Sequence, residues 1–482
     1  MKLSNTELLR KLAFVDGKWT GADAKETFTV ENPFDQQIIA ELPEMGTVET
    51  RQAIEAANAA FKQWSELNPN KRANMLNRWS QLMMDNIDDL ATILTSEQGK
   101  PWVQAKSELE YAAAAVAFYA GEAMRISGQT LPAAAPNAQT LVIRQPYGVV
   151  GCIAPWNFPT IMVTKMAAAM AAGNCVVAKP AEDTPLTPLA LAYLAEQAGI
   201  PAGVFNMVVA KQAKPIGDEL TSNEKVRMLT FTGSTQTGKL LYAQCANTVK
   251  KVILELGGNS PFIVFADADI DAAVEQSIGL KFRNCGQICV TANRFFIHET
   301  VFDKFLMKFI SQVKKIKLGS GLDEKTTMGP LINSKGLEKV EALVMDAIKK
   351  GAKVEIGGKL SDAGKLFYEP TILTNMNSQM RAYHEEIFGP IAALYRFKEE
   401  AEVIAMANNT EYGLAAYFYT LDLARAWRVS TALESGGVNI NTGGGFGGGP
   451  FGGYKQSGIG REGGRIAALD EYCQTKTISI ET

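Results

Sequence analysis

VRMLTFTGSTQTGKLLYAQCA, Val226 to Ala246, changes its period halfway along. Its first residues are apolar or β-branched and read as a buried strand. Gly233 and Ser234 make a turn, and TQTGKLLYAQCA reads as a helix. A strand that delivers a glycine turn to a helix start presents backbone N–H groups that suit a phosphate. The spacing from Gly233 to Gly238 is GxxxxG, not GxGxxG. On its own, therefore, the stretch reads first as an ordinary strand–turn–helix unit.

The flanking segments repeat the alternation. CVVAKP (Cys175–Pro180) reads as a short strand, Leu186–Gly199 as a helix stopped by Gly199 and Pro201, and Val204–Ala210 as a strand. Asp218–Ser222 reads as helical and Val249–Gly258 as a strand. Thr140–Trp156 is β-like, and helical patterns over Thr47–Gln63, Arg72–Gly99 and Trp102–Gly128 precede it. Thr47 is the expected N-cap of the first helix; Thr50, three residues on, gives no capping box. Strands alternating with helices specify parallel βαβ units and an open α/β sheet. A second alternating block follows Gly258: SPFIVF, a helix over Asp269–Phe282, RFFIH, a helix over Thr300–Ile316, KVEIGG, a helix near Glu399–Asn408 and GGVNIN. It predicts a second α/β domain, and 482 residues exceed what one core sustains. Gly443–Gly449, GGGFGGG, reads as a loop near a ligand or subunit contact.

Composition narrows the chemistry. Apolar residues make up 46% and charged residues 21%, with a net charge of −3, so neither a polyanion partner nor a nucleic acid is indicated. Charges at Glu7, Arg10, Lys11 and Asp16 break any signal-peptide core, and prolines and glycines interrupt the uncharged run Gln145–Thr164. No membrane span is expected, and a cytoplasmic protein is. Six cysteines and two histidines (His298 and His384) are too sparse for a disulfide framework or a mixed zinc site.

Four places carry residues able to do chemistry. Lys179 and Glu182 in KPAEDTP follow a strand end, where open α/β sheets bind ligands, and could hold ribose hydroxyls; a solvated loop pair is an equal reading. A carboxylate at Glu182 would repel a 2′-phosphate, favouring NAD over NADP. Glu255 in LELGG sits among apolar residues at a strand end, where a raised pKa would suit a general base. Asn157, between prolines and rings in APWNFP, is placed either to donate to an oxyanion or to satisfy a turn. FRNCGQICV, Phe282–Val290, holds Cys285 and Cys289, which spacing alone does not rank; both are also readable as inert buried thiols.

Together APWNFP, KPAEDTP, FTGSTQTG, LELGGNSPFIVF, FRNCGQICVTANR, EEIFGP and PFGGYKQSGIGREG resemble the aldehyde dehydrogenase superfamily, in family order and across most of the chain. EQGKP and ANNTEYGLAAYFYT are most similar to the bacterial succinate-semialdehyde dehydrogenases. The resemblance implies that Cys289 is the nucleophile, Glu255 the general base and Asn157 the oxyanion donor, with the Cys289 N–H beside it. It implies cofactor contacts at Trp156, Lys179, Glu182, Ser234, Glu386 and Phe388, with Gly233 and Gly238 framing the dinucleotide turn. The cofactor is NAD, with NADP as the alternative, and no metal is implied.

The resemblance also implies a pocket for a distal carboxylate. Arg283 matches the arginine that holds it, Lys165 stands where the family has a second arginine, and Phe446 falls near a serine contact in NTGGGFGGG. A broad aliphatic or aromatic aldehyde dehydrogenase is the alternative. A CoA-acylating enzyme is disfavoured by Glu255, and a thiol esterase by the lack of a His–Asn pattern. A Cys285–Cys289 redox pair rests on spacing alone. The fold implied is a Rossmann-type dinucleotide-binding domain (residues 1–126 and 147–252), an α/β catalytic domain (253–441) and a small β oligomerisation element (127–146 and 466–482). The expected assembly is a homodimer or homotetramer, with a small aldehyde as the only other partner.

Overall fold

In the computed structural model, which describes residues 1–133, 135–445, 448–463 and 467–481, the opening stretch is the strand Val226–Thr232 followed by the helix Thr235–Ala246. That strand lies in an eight-stranded sheet. The spatial order is Lys18–Thr20, Ala13–Val15, Phe205–Met207, Cys175–Lys179, Val149–Ile153, Val226–Thr232, Lys251–Glu255 and Gly458–Ile459. The five strands from Phe205–Met207 to Lys251–Glu255 are parallel. Chain order reverses between Val149–Ile153 and Val226–Thr232, and at such a switch point the loops beyond the strand ends part to form a crevice. Trp156 and Asn157, Lys179 and Glu182, Gly233 and Ser234, and Glu255 all lie at or just beyond carboxyl ends of these strands.

A seven-stranded sheet forms the second layer system. Its order is Lys353–Ile356, Thr371–Thr374, Ile391–Phe397, Ala292–His298, Ser260–Val264, Ala415–Tyr419 and Gly437–Ile440; only the first pair is antiparallel. Its central strands are buried almost throughout, so they lack in–out alternation and read as continuous apolar runs. Each sheet has its own apolar core, one drawn from residues before Ser260 and from the C-terminal segment, the other from Phe262 to Leu433. A third, antiparallel sheet pairs Cys473–Glu481 with Ala138–Pro146, which also pairs Gln129–Leu131.

Local chemistry moves some expected boundaries. The first long helix is Thr47–Glu66, and its N-cap is Gly46 rather than Thr47: the Glu49 carboxylate accepts from Gly46 N at 2.8 Å, so half of a capping box is present after all. The expected helix over Arg72–Gly99 is two, Pro69–Asp85 and Ile87–Gln98, hinged at Asn86. Helix Ser334–Lys349 and strands Thr371–Thr374, Ile391–Phe397 and Ala415–Tyr419 were not anticipated. No helix among the described residues is long and apolar enough to cross a membrane.

Candidate active site

The helix Ile270–Phe282 starts at Asp269, whose carboxylate accepts from Asp271 N and Ala272 N, and ends at Arg283. Asn284 and Cys285 then adopt left-handed backbone, φ 50° and 57°, which is uncommon for residues with a Cβ. The reversal aims Cys285 and Cys289 differently. Cys285 is 1% exposed and belongs to the second core; Cys289 is half-buried. Burial pushes both thiols up to about 12, at Cys289 with help from the negative charges of Glu386 and Glu255. Proton affinity therefore does not rank them. Exposure does: Cys289 keeps accessible surface, and Cys285 is walled in.

Other elements converge on Cys289. Asn157 Nδ2 donates to the Gln287 carbonyl at 3.0 Å, two residues before the thiol, which leaves its other N–H unspent there. Gln287 itself is buried; its Oε1 accepts from Ile332 N and its Nε2 donates to the Asn284 carbonyl. Gly258 lies so close that a Cβ would stand 2.4 Å from the Cys289 carbonyl oxygen, so only glycine fits. Gly258 N in turn donates to Glu386 Oε1 at 2.9 Å, tying the LELGG turn to EEIFGP. Tyr417 Oη holds the Val290 carbonyl at 2.9 Å.

Glu255 is 4% exposed, and neither of its carboxylate oxygens has a hydrogen-bond partner among the described residues. Desolvation raises its pKa well above the carboxylate range. The charge of Glu462 adds to this, against Lys165 and Arg461. A buried carboxylate without partners holds a proton readily and is free to exchange it, as a general base requires.

The residues expected to meet a cofactor lie around the crevice. Ser234 caps the helix Thr235–Ala246, its Oγ accepting from Thr237 N. A Cβ at Gly238 would meet Leu256 Cδ2 at 2.4 Å, so glycine lets this helix close onto the strand below. Lys179 Nζ bonds Glu182 Oε2 at 3.2 Å, and Trp156 meets Phe388 edge-on, ring centroids 5.5 Å apart. Helix-start N–H groups, a Lys–carboxylate pair and two aromatic rings suit a dinucleotide: phosphate, ribose hydroxyls and planar bases respectively. Among the described residues no cluster of three His, Cys, Asp or Glu could hold a metal.

Two expected substrate residues separate. Arg283 is exposed, makes no ion pair or hydrogen bond among the described residues, and holds its guanidinium 5.7 Å from the Phe158 ring centroid. Lys165, expected as a second substrate cation, is 2% exposed and spends its ammonium on Glu462 and on Thr230 Oγ1. It is buried on the helix Ile161–Ala171, with its ammonium held by those two partners and its charge felt at Glu255, so it is not free for a ligand. Phe446 lies outside the described residues. Both histidines bond locally, to Thr300 and to the Ser378 carbonyl, away from these groups. Gln287, Asn284, Glu462 and the pair Lys100–Glu108 were not singled out from the sequence, although all but Glu108 stand inside motifs already quoted.

A parallel sheet with its switch-point crevice, a half-buried thiol and a buried carboxylate with no hydrogen-bond partner among the described residues together suit a nicotinamide-dependent oxidoreductase. The chain belongs to the aldehyde dehydrogenase family, which it matches over residues 19–478. It is 51% identical to a glutarate-semialdehyde dehydrogenase of Pseudomonas aeruginosa, over 100% of this chain and 99% of that one. It is 49% identical to an NADP(+) succinate-semialdehyde dehydrogenase of Escherichia coli, over 100% of both. The solved succinate-semialdehyde dehydrogenase of Burkholderia pseudomallei superposes with a TM-score of 0.98 at 48% identity, covering 100% of both chains.

Proposed function

We propose that the chain oxidises an aldehyde bearing a distal carboxylate, a four- or five-carbon ω-oxo acid, to the diacid, with NAD as the preferred acceptor. The observation that carries this is Arg283, a guanidinium unpaired among the described residues and next to the segment that bears Cys289. A planar, permanently charged fork is suited to a carboxylate, and its nearest aromatic neighbour, Phe158, adjoins Asn157. The relatives named for glutarate and succinate semialdehydes act on aldehydes of this class.

In this reading Glu255 takes the proton of Cys289, and the thiolate adds to the aldehyde carbon. The new alkoxide accepts hydrogen bonds from Asn157 Nδ2 and the Cys289 N–H; one such donor is typically worth about 3 kcal/mol. The cofactor, when bound, supplies a hydride acceptor. Loss of hydride from the tetrahedral carbon leaves a thioester on Cys289. Glu255, back in its carboxylate form once the thiol's proton has passed to solvent, removes a proton from the water that hydrolyses it. Residues 1–126 with 147–252 hold the cofactor, 253–441 carry the thiol, and 127–146 with 466–482 join subunits. The strand Cys473–Glu481 is an edge strand within the chain and mostly exposed, so it can add to a second copy's sheet.

The test is Arg283→Ala against an aldehyde panel. KM for succinic and glutaric semialdehydes is expected to rise ~10–100-fold, the scale of a lost charge-assisted pair, while propanal is unaffected. Equal kcat/KM for propanal and succinic semialdehyde in the unmodified protein would exclude a carboxylate pocket.

A further inference from the structure

We infer that Lys100 and Glu108 are positioning residues for the oxyanion donor, a buried clamp that sets the orientation of the Asn157 amide; the inference rests on the oxyanion reading of Asn157 given above.

The amide N–H of Asn157 is useful only if it points at the place where the alkoxide forms. Its side chain is steadied by one bond, to the Gln287 carbonyl. The rest of its orientation comes from the backbone of the turn Trp156–Thr160. Lys100 Nζ donates to the Asn157 carbonyl at 2.8 Å, and the same ammonium sits 4.2 Å from the Phe158 ring centroid. Glu108 Oε1 accepts from Thr160 Oγ1 at 2.9 Å and from Thr160 N at 3.3 Å. Lys100 and Glu108 are themselves an ion pair. One rigid unit thus grips the turn at its second, third and fifth residues. Asn284 Nδ2 adds a second donor to the Asn157 carbonyl at 3.2 Å, joining the clamp to the segment that leads to Cys289.

The pair is dry, with side-chain exposures of 1% and 3%. Desolvation holds the Lys100 pKa below the usual lysine range despite the partner carboxylate. Replacing a buried ion pair by apolar residues of like volume is often neutral or stabilising, so stability is a poor reason for its presence. Geometry is a better one. Every polar contact that the structure gives these two side chains is to each other or to the turn. A misplacement of about 1 Å at a reacting group can cost ~100-fold in rate.

The experiment compares three proteins with the unmodified enzyme: Asn157→Ala, the double replacement K100M/E108L, and the triple variant combining them. Single-turnover formation of reduced cofactor and thermal melting are measured on each. K100M/E108L is expected to melt within a few degrees of the parent, yet to lose roughly 10–100-fold in both kcat and kcat/KM for the aldehyde, with KM for the cofactor unchanged. In the Asn157→Ala background the same replacement is expected to cost nothing further, because the group it positions is gone. A full rate in K100M/E108L beside a slow Asn157→Ala, or losses that multiply in the triple variant, overturns the clamp. A full rate in Asn157→Ala overturns the oxyanion reading itself, which keeps the two failures apart. Thr160→Val, a small change expected to fold, removes only the Glu108 contacts of the hydroxyl. It is expected to lose severalfold in the same non-additive manner, and a full rate there overturns the clamp should the double replacement prove unfolded.

Discussion

Two lysine–glutamate pairs, each with a buried ammonium, bear on the site, and they are built differently. Lys100–Glu108 is closed from water on both sides and bonded to the Asn157 turn. Lys165–Glu462 acts on Glu255 by charge, is 16% exposed at Glu462, and makes no hydrogen bond to the Glu255 carboxylate. Its hydrogen bonds run to Thr230 Oγ1, which also donates to Glu462 at 3.1 Å. The first pair holds a group by direct bonds. The second acts on its group through charge alone. A donor that must keep still is gripped, whereas a base that must gain and lose protons is left unbonded and tuned from a distance.

That contrast can be broken at its most sensitive point by Glu255→Gln. Steady-state turnover is expected to fall ~10²–10⁴-fold, the usual worth of a positioned base. The first turnover, read as a burst of reduced cofactor, is expected to survive better, because the thioester then waits for water. A loss spread equally over both phases would place Glu255 at the thiol step only.

Lys165→Met sharpens the second half of the contrast. The Glu255 pKa is already raised by burial and by Glu462, and Lys165 opposes that rise. The active base is the carboxylate, which is present above its pKa. Removing the cation raises that pKa further, so the acid limb of the pH–rate profile moves to higher pH. Turnover at pH 7 falls by on the order of tenfold and recovers in alkali. An unshifted limb would show that Lys165 has no electrostatic hold on Glu255. The smallest effect belongs to the cofactor crevice. Glu182→Ser is expected to narrow the preference for NAD over NADP by about five- to tenfold, the scale of one solvated charge pair. Competing steady-state assays with both cofactors check it.

The fold was legible where the hydrophobic period changes. Val226–Ala246 switches from strand to helix within two residues, and the observed elements fall where the switch predicts. The strand Ala415–Tyr419 was harder, since burial on both faces erases the alternation that marks a strand. The Gly46 cap was missed because glycine offers no side chain to read as a cap; the bond comes from Glu49 reaching back. Cys285 and Cys289 could not be ranked from spacing, because the left-handed backbone at Asn284 and Cys285 that separates them is set by packing. The two ionic pairs were invisible for another reason. Lys100 and Glu108 stand eight residues apart but meet the Asn157 turn across 57 and 52 residues, and Lys165 meets Glu462 across 297, so no local pattern carries these contacts.

The central claim is that Cys289, not its neighbour four residues earlier, bonds to the aldehyde carbon. The most direct measurement is fragment mass mapping of the Asn284–Arg294 peptide from Glu255→Gln protein, quenched after one turnover with succinic semialdehyde and NAD. The account predicts a succinyl adduct on Cys289, with Cys285 unmodified. An adduct on Cys285, or product formed at the unmodified rate by a Cys289→Ala protein, would contradict it.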